Sequence, residues 1–577
     1  MDILANLADG FASALSPINL LFAFLGVLIG TMVGVIPGIG PTTAIALLIP
    51  VSFSLDPVTG LILLCGIYYG AMYGGSITSI LIRTPGEIGT VMSTIDGYEM
   101  TKRGRGGPAL ATAAIGSFVA GTISTIMLML MAPMLAAVSV AFGSNVYFLL
   151  LLLALIMLSN LTGGSRLKAG ISTLFGMAVA MIGMDAQAGL PRMTLGVLEL
   201  NSGIDFAIFA MALFAVPEAL ANLTRRHTEA TPGIGKVKLF MTKEDWRRST
   251  VPWFRGTFLG FFVGLLPGMG TLGSFFSYPL EKRLSRKHKA EFGKGAIEGV
   301  AGPEAANNAG VGGGLVPLFT LGIPGSPTLA LLFFVFTMYG LQPGPQLMSE
   351  QSGLIWAIIA SMYIGNVLLL VLNLPLVGVF VQLLKIPDAK LYGGVLAFVA
   401  LGAYALGFDL FSMGTMFVFG LVGYGMQKYG FPLAPAVVGL VLAPMLESSL
   451  RRALQISAGD PATFVNGPLA ITLTALILLV IAAPLLLPLL RRSGVLARGL
   501  SSRRQVATSQ LAEPGADLHT PTGFGYTKEP QTSGAAEQPS GQAAAGQAAA
   551  VDQQSELQPA TTRQRADGEA RDRKADD

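Results

Sequence analysis

The heptapeptide Gly34-Val-Ile-Pro-Gly-Ile-Gly40 recurs 230 residues later as Gly264-Leu-Leu-Pro-Gly-Met-Gly270. Each copy ends an apolar stretch, Ile18–Ile36 in the first case and Val251–Leu266 in the second, and each breaks that stretch with proline and glycine. In hydrocarbon every backbone polar group needs a partner, so a broken helix persists only where it is buried in protein or lines a cavity. The pair therefore predicts membrane-embedded breaks at matching positions.

A second pair of motifs follows in the same order. Gly74-Gly75 precedes Thr84-Pro85-Gly86 by nine residues, and Gly313-Gly314 precedes Ile323-Pro324-Gly325 by the same spacing. The offset between these copies is 239 residues, close to that of the first pair. Two ordered motifs at nearly equal offsets predict an internal duplication.

The composition agrees with a membrane location. Of the 577 residues 52% are hydrophobic and 12% are charged, whereas soluble domains carry about 25% charged residues. A water-soluble surface cannot be built from so few charges, which excludes a soluble enzyme, a nucleic-acid binder and a secreted disulfide-rich domain. The single cysteine, Cys65, lies in an apolar run and provides neither a disulfide framework nor a cysteine metal site.

The apolar stretches predict an all-α polytopic membrane protein with about 12 transmembrane segments, some of them Gly/Pro-broken helices or re-entrant hairpins. We expect four parts: membrane repeat 1 (residues 1–223), a basic cytoplasmic linker (224–250), membrane repeat 2 (251–492) and a hydrophilic tail (493–577). The tail is rich in Ala, Gln, Gly and Ser, a composition typical of disorder.

The basic residues predict the orientation of the chain. Lys102–Arg105, the linker, Lys282–Lys294 and Arg491–Arg504 all fall on the cytoplasmic side if the N-terminus is outside and the C-terminus inside. Arg451 and Arg452 violate this assignment. Under it the two repeats have opposite topology, which is the pattern of inverted-repeat secondary transporters in the bacterial inner membrane.

No catalytic site is evident, so we expect the protein not to be an enzyme. His227, His288 and His519 all lie in polar stretches, and no Walker A sequence is present. Ser76 and Ser79 have no nearby His or Lys in the sequence to act as a base. We therefore predict no catalytic residue, no bound metal and no cofactor.

The motifs instead predict a binding site for a substrate and a cation. Half-helix N-termini suit a carboxylate, and exposed carbonyl groups can hold a cation. The alternative for the small residues is close helix packing, and for Asn307 and Asn308 it is helix capping. Arg83 is a counter-charge for an anion, a snorkelling anchor at the membrane edge or a partner of Glu87. The candidate residues are Pro37, Gly38, Gly40, Thr42, Thr43, Ser76, Thr78, Pro267, Gly268, Gly270, Thr271, Asn307, Asn308, Pro324, Gly325 and Ser326.

Several of these stretches resemble one known family. They are the Gly34–Pro41 stretch, Tyr68–Ser76, Thr84–Glu87 with Asp96-Gly97-Tyr98, Pro303–Ala309, Leu321–Ser326 and Gly340–Pro345. Together they are similar to the large permease subunit of tripartite tricarboxylate transporters, the TctA type. The similarity covers about Ile18 to Leu490 and leaves the tail out.

The resemblance implies a partner set and a mode of transport. Such permeases work with a small membrane subunit of about four helices and an extracytoplasmic solute-binding protein. They import organic carboxylates, such as tricarboxylates, with a Na⁺ or H⁺ gradient. We therefore expect the permease of a tripartite importer without a nucleic-acid partner. The alternatives are an ion or solute channel that needs no binding protein, and a membrane-embedded enzyme.

Overall fold

The structure, a computed structural model, describes residues 3–161, 165–224 and 239–492. The predicted tail and residues 225–238 of the predicted linker lie outside this part. Within it the chain is almost entirely helical, with α1 Ile3–Ala14, α2 Pro17–Val35, α3 Pro41–Ser52, α4 Pro57–Ile82, α5 Val91–Lys102, α6 Gly106–Ser139, α7 Ser144–Leu161, α8 Arg166–Ala180, α9 Phe206–Thr224, α10 Lys243–Gly264, α11 Gly273–Leu284, α12 Glu298–Leu321, α13 Pro327–Met338, α14 Pro345–Glu350, α15 Ser352–Leu383, α16 Asp388–Gly407, α17 Leu410–Lys428, α18 Leu433–Ile456 and α19 Pro468–Arg492.

Short elements complete the described part of the chain. Two strands, β1 (Gly183–Met184) and β2 (Pro191–Arg192), form an antiparallel hairpin in the connection from α8 to α9. Five 3₁₀ turns cover Ile88–Thr90, Glu199–Ser202, Gly270–Leu272, Lys289–Glu291 and Pro461–Val465. The first and third of these turns directly precede α5 and α11.

The helices have the length and the surface of membrane helices. Among the described residues, eight helices are long and apolar enough to cross a bilayer, and four shorter ones are also apolar. Large apolar side chains such as Val379, Leu401, Phe417 and Leu478 are exposed on the outer helices, where lipid would cover them. The protein is thus an all-α polytopic membrane protein, as the composition predicts.

Close glycine packing joins α2 to α4. A Cβ atom at Gly26, Gly30 or Gly34 would lie 2.3–2.4 Å from the backbone oxygen of Leu63, Ile67 or Ala71. These contacts advance together along both chains, so the two helices run in parallel at the short distance that only small residues allow. The short helix α3 lies between α2 and α4 in the sequence and runs in the opposite direction to both.

The same packing recurs between α10 and α12. Gly256, Gly260 and Gly264 lie against the backbone of Gly302, Ala306 and Gly310, with added Cβ atoms 2.0–2.5 Å from the oxygens. Every α10 glycine is 230 residues after its α2 counterpart, and every α12 position is 239 residues after its α4 counterpart. The offsets found in the sequence motifs are therefore also the offsets of the helix contacts.

The two helix pairs point in opposite directions. We call the face where α2 and α4 begin the upper face and the face where α4 ends the lower face. The helix α6 starts beside the end of α4, with Gly106 facing Leu81. It then runs parallel to α12, because Ser117 contacts Asn308 in the middle of α12 and Ser139, at the end of α6, contacts Thr320 near the end of α12. Hence α4 descends and α12 ascends.

The central helices α4 and α12 carry the molecule's core. Residues 59–81 of α4 and 298–320 of α12 are all buried. The helices α6 and α15 pack against this centre, and α16–α19 lie farther out. Such complete burial allows polar side chains on α4 and α12 to be held in a protein environment rather than in lipid.

The Pro-Gly motifs interrupt the helices, as the sequence predicts. Gly38 and Gly268 adopt φ angles of 88° and 79°, the left-handed conformation that favours glycine. One boundary differs from the prediction: α10 begins at Lys243, eight residues before the apolar stretch. The cause is a capping box in which Thr242 and Asp245 bond each other's backbone N–H groups.

Candidate functional site

Four short helices begin near the middle of α4 and α12. The helices α3 and α13 start there and run to the upper face, where Tyr339 Oη, just after α13, donates a hydrogen bond of 2.5 Å to Ser52 O at the end of α3. The helices α5 and α11, each preceded by a 3₁₀ turn, start there and run to the lower face, joined by a 2.8 Å bond from Tyr278 to Asp96. All four therefore point their N-termini at one level of the molecule.

Direct hydrogen bonds connect the helix starts. The hydroxyls of Thr42 on α3 and Thr328 on α13 lie 2.8 Å apart. The backbone N–H of Gly268, in the loop before α11, donates to the carbonyl of Gly325, in the loop before α13, at 2.8 Å. These two bonds connect the helix start after the first Pro-Gly motif, the second copy of that motif and the Pro324-Gly325 motif.

The start of α5 joins the same centre from below. A Cβ atom at Gly86 would lie 2.4 Å from Cα of Gly75 and 2.5 Å from the oxygen of Gly34. The side chain of the next residue, Glu87, caps the 3₁₀ turn that leads into α5, and the hydroxyl of Thr90 completes the capping box. The loop 83–90 is thus wedged between α2 and α4.

The converging ends remain accessible and offer donors. Gly40, Thr42, Gly268, Gly270, Thr271 and Ser326 are all partly exposed. Thr43, Pro324 and Gly325 are buried beside them. Helix N-termini present free backbone N–H groups and the positive end of the helix dipole. A crevice with four such ends suits an anion with several carboxylate groups.

A buried polar cluster lies next to this crevice. Ser76 on α4 donates a hydrogen bond of 2.5 Å to Glu304 on α12. Asn307, one turn along α12, donates one of 2.6 Å to Glu87. Ser76, Glu304 and Asn307 are at most 1% exposed. These contacts join α12 to α4 and to the start of α5.

Four candidate residues lie away from the crevice. Asn308 donates to Ser117 of α6 at 2.7 Å and to its own helix, a packing contact between helices. Thr78 bonds the carbonyl of Gly75 within α4. Pro37 accepts a hydrogen bond from Tyr392 of α16, and Gly38 faces Glu218 and Asn222 of α9. At the first motif the crevice is therefore formed by Gly40 and Thr42 and not by Pro37 and Gly38.

Arg83 does not pair with Glu87, which is one of the three roles that the sequence suggested for it. It ends α4 in the left-handed conformation with φ of 58° and is exposed. Its guanidinium lies 5.9 Å from the ring centre of Tyr98, a cation–π contact. In the described part of the chain, Glu87 pairs with Asn307 and forms no ion pair with Arg83.

Two functional candidates were missed in the sequence. Glu304 is a carboxylate inside a glycine-rich apolar run, and a charge in such a run is itself a sign of function. Thr328 follows Pro327 as Thr42 follows Pro41, so a repeated Pro-Thr dipeptide at a helix start could have identified it. Both signals were present once the duplicated motifs had been found.

A large cavity opens toward the upper face. Its volume is about 1070 Å³, and its lining includes Ser139, Leu321, Thr337, Ser448 and Arg452 at the upper ends of α6, α12, α13 and α18. Arg452 forms no ion pair with any other described residue and is exposed. The lining also contains Asp205, whose carboxyl accepts a hydrogen bond from the backbone N–H of Ile208, so one cation and one carboxylate face the cavity.

An ion-pair network accounts for the other basic residues of this face. Arg451 lies 2.8 Å from Asp185 and 2.5 Å from Glu447, and Arg192 lies 2.8 Å from Glu447. The Arg451 guanidinium, aided by the backbone N–H groups of Ala188 and Gln187, holds the pKa of Asp185 well below its usual range. The charge of Arg451 is thus neutralised by two carboxylates.

On the lower side, Asp96 ties the two helix sets together. Its Oδ1 accepts hydrogen bonds from the backbone N–H groups of Gly293, Gly295 and Ala296 at 2.7–2.9 Å, while Oδ2 accepts one from Tyr278. Gly293 and Gly295 adopt φ angles of 84° and 104° to bring their N–H groups inward. Asp96 therefore has a structural role between α5 and the connection to α12.

Comparisons with known proteins agree with this architecture. Residues 20–438 match the model of the tripartite tricarboxylate transporter TctA family. The chain is 48% identical over 477 residues, 82% of its length and 95% of the relative's, to the "Uncharacterized 52.8 kDa protein in TAR-I ttuC' 3'region" of Agrobacterium vitis. It is 47% identical over 228 residues, 39% of its length and 94% of the relative's, to the "Uncharacterized protein in TAR-II ttuC' 3'region" of the same organism. No solved structure matches the chain. With nearly three quarters of its length matched by one family of transporters, the chain belongs to the tripartite tricarboxylate transporter TctA family.

Proposed function

We propose that the chain is the large permease subunit of a tripartite, ion-gradient-driven importer of organic carboxylates, including tricarboxylates. The observation that carries this proposal is the convergence of four helix N-termini on one partly accessible crevice. A carboxylate-bearing substrate would lie there, bound by backbone N–H groups and by the hydroxyls of Thr42, Thr271, Ser326 and Thr328. Binding by N–H groups and hydroxyls leaves the substrate's charge only partly neutralised, which favours release as well as capture.

The repeated helix packing supports an inverted-repeat architecture. In this proposal α2–α5 and α10–α13 are the two copies, each with a hairpin, a buried crossing helix and a half-helix. The opposite directions of α4 and α12 support the inversion, and the eight long and four shorter apolar helices of the described chain support about twelve membrane segments, of which α3 and α13 are half-helices that do not cross. The binding crevice would lie where the copies meet, as in other inverted-repeat transporters.

The orientation and partners follow from the charge distribution and the family. We propose an inner-membrane location with the upper face outside, so that the cavity beside Arg452 receives the substrate from an extracytoplasmic binding protein. A small membrane subunit of about four helices completes the system. The coupling cation, Na⁺ or H⁺, is cargo rather than a resident cofactor.

Uptake of a labelled carboxylate panel by cells that supply all three components tests the proposal. We expect saturable uptake of one or a few carboxylates that requires the binding protein and collapses when the ion gradients are dissipated. Repeating the assay with choline in place of Na⁺ separates the two coupling ions. A matched strain that lacks only this chain gives the background.

Two outcomes would contradict the proposal. Flux that needs neither the binding protein nor an ion gradient would indicate a channel. Carboxylate uptake that stays unchanged in every condition when the chain is deleted and its partners are kept would rule out the permease role.

Thr271→Val and Ser326→Ala, which delete donors at the crevice, are expected to raise the KM for uptake several-fold with the protein still inserted.

A further inference from the structure

Two carboxyl groups in the polar cluster have no cationic partner. Glu304 is fully buried on α12, and Glu87 is partly buried at the start of the turn before α5. Within the described residues neither lies in an ion pair with a lysine, arginine or histidine, and the two are linked through Asn307, which bonds Glu87 and lies three residues after Glu304 on α12. Their arrangement differs from that of Glu281, whose buried carboxyl is paired with Arg255.

The hydrogen bonds of the cluster leave acceptors unused. Glu304 receives one bond from Ser76, whereas Glu87 receives one from Asn307 and one from the backbone N–H of Thr90. Glu304 Oε1 and Asn307 Oδ1 are both buried and make no hydrogen bond with any described residue. The hydroxyl of Ser93 lies near Glu304 but without good hydrogen-bond geometry. Oxygen acceptors cannot satisfy one another, so what this cluster lacks is a proton or a cation.

Burying the carboxyl groups of Glu87 and Glu304 and the amide oxygen of Asn307 without a partner is energetically unfavourable. A buried carboxylate without a compensating charge is strongly disfavoured, and an unpaired buried amide oxygen adds a further penalty. Among the described residues, Tyr68 and Tyr73 of α4 lie beside the pair and bring no positive charge. The neighbouring α5 and α6 present the hydroxyls of Ser93 and Ser117. A positive charge from outside the chain resolves the imbalance.

We propose that Glu87 and Glu304, together with the amide oxygen of Asn307 and the hydroxyl of Ser76, bind the coupling cation. This inference rests on the proposed function and specifies its cation site. Oxygen atoms are the ligands that a hard cation such as Na⁺ prefers. A proton on Glu304 is the other source of the same charge, and the test below distinguishes the two.

The position of Glu87 links this cation to the substrate. Its carboxyl caps the turn that leads into α5, one of the four helix starts at the crevice. Without a cation, the two carboxylates would repel an anionic substrate in the crevice. A bound cation removes this repulsion, so each ligand raises the affinity for the other, and the coupling is reciprocal.

Binding of ²²Na⁺ to the purified full-length chain in detergent provides the first arm of the test. We expect Glu304→Gln and Glu87→Gln each to weaken Na⁺ binding about tenfold or more, because each removes a charge but keeps an oxygen acceptor. Glu350→Gln, which alters an exposed carboxyl on α14, is the matched control and should bind as the wild type does. Thermal unfolding establishes that each variant is folded.

The second arm applies if the wild type binds no Na⁺. The affinity for the transported carboxylate is then measured across the pH range in which the protein is stable. A pH dependence in the wild type and in Glu350→Gln that is lost in both cluster variants identifies the proton as the cation. Variants that keep both the Na⁺ affinity and the pH dependence of the wild type would overturn the site.

Exchange of labelled carboxylate between equal ion concentrations separates this inference from the proposed function. The assay uses liposomes that contain the complete membrane complex and needs no driving gradient. Cluster variants that exchange the carboxylate but no longer accumulate it support both proposals. A wild type that binds Na⁺ through these glutamates but exchanges no carboxylate contradicts the proposed function and leaves the cation site intact.

Discussion

The hydroxyl of Thr42 lies 2.8 Å from that of Thr328, although the two residues are 286 positions apart. Each is the second residue of a short helix that begins with proline, α3 in one case and α13 in the other. The contact therefore fixes two helix N-termini side by side and directs both dipoles at the same crevice. It joins a helix from the first half of the chain to one from the second.

Replacing these hydroxyls is expected to weaken substrate binding without unfolding the protein. Thr42→Val and Thr328→Val keep the shape of the side chain but remove a donor worth about 0.5–1.5 kcal/mol, so the KM for uptake should rise by up to about tenfold. Thr250→Val is the control, because its hydroxyl only bonds the carbonyl of Trp246 in its own helix. Equal KM values in all three variants would place the substrate elsewhere.

Glycine packing is expected to limit stability at Gly260 of α10. A Cβ atom there would lie 2.0 Å from the backbone oxygen of Ala306, which cannot move aside as a side chain would. Gly260→Ala should therefore lower the free energy of unfolding by about 1–3 kcal/mol or more. Gly378→Ala on α15, where the space is open, should stay within about 1 kcal/mol of the wild type. Thermal unfolding in detergent measures both, and similar melting temperatures would contradict the close approach of α10 and α12.

Much of this packing was present in the sequence. The duplicated Pro-Gly motifs predict the helix breaks, because proline and glycine act through local backbone geometry that needs no knowledge of the fold. The constant offsets of 230 and 239 residues also contain the helix pairing, since Gly26, Gly30 and Gly34 repeat as Gly256, Gly260 and Gly264. The repeated spacing of these glycines therefore predicts helix contacts within each half of the chain.

What the sequence left open are contacts between the halves. Asn307 and Asn308 are identical side chains at adjacent positions, and only the helix rotation decides that one faces Glu87 and the other faces Ser117. Successive residues on a helix are about 100° apart, so such neighbours meet different partners. Glu87 and Glu304 are likewise 217 residues apart, and no local rule predicts that they approach each other.

The two asparagines are therefore expected to differ when replaced. Asn307→Ala removes a hydrogen bond to a carboxyl, worth about 1.5–3 kcal/mol, and should lower carboxylate uptake by at least about tenfold. Asn308→Ala breaks the contact between α12 and α6 and should mainly lower the melting temperature. Measuring uptake and thermal unfolding on both variants checks the contrast. Loss of uptake by Asn308→Ala at an unchanged melting temperature would assign Asn308 to the site instead.

Acid is expected to weaken the ion-pair network of the upper face. The folded protein holds the pKa of Asp185 below its usual value, mainly through Arg451, so the ionised carboxyl stabilises the fold. This contribution is fully present above the unfolded pKa of about 3.9 and is lost as the pH falls through the lower folded pKa. Asp185→Asn should thus melt earlier than the wild type at neutral pH, and the difference should shrink in acid. A difference that stays constant to the lowest pH would rule out the carboxyl's charge as its cause.

The orientation of the chain is expected to follow from charges that remain unpaired. At the upper face Arg451 is balanced by Asp185 and Glu447, which leaves Arg452, whereas the lower face exposes Arg103, Lys282 and Arg283, which form no ion pair with any described residue. Unbalanced positive charge favours the cytoplasm, so the lower face should be inside.

The chain's single cysteine, Cys65, is 3% exposed, so a Cys65→Ala background permits single-cysteine labelling that tests this orientation. An impermeant maleimide should label Ser448→Cys in intact cells and Arg103→Cys only after permeabilisation. The reverse pattern would mean that the large cavity beside Arg452 opens to the cytoplasm, where it could not receive substrate from an extracytoplasmic binding protein.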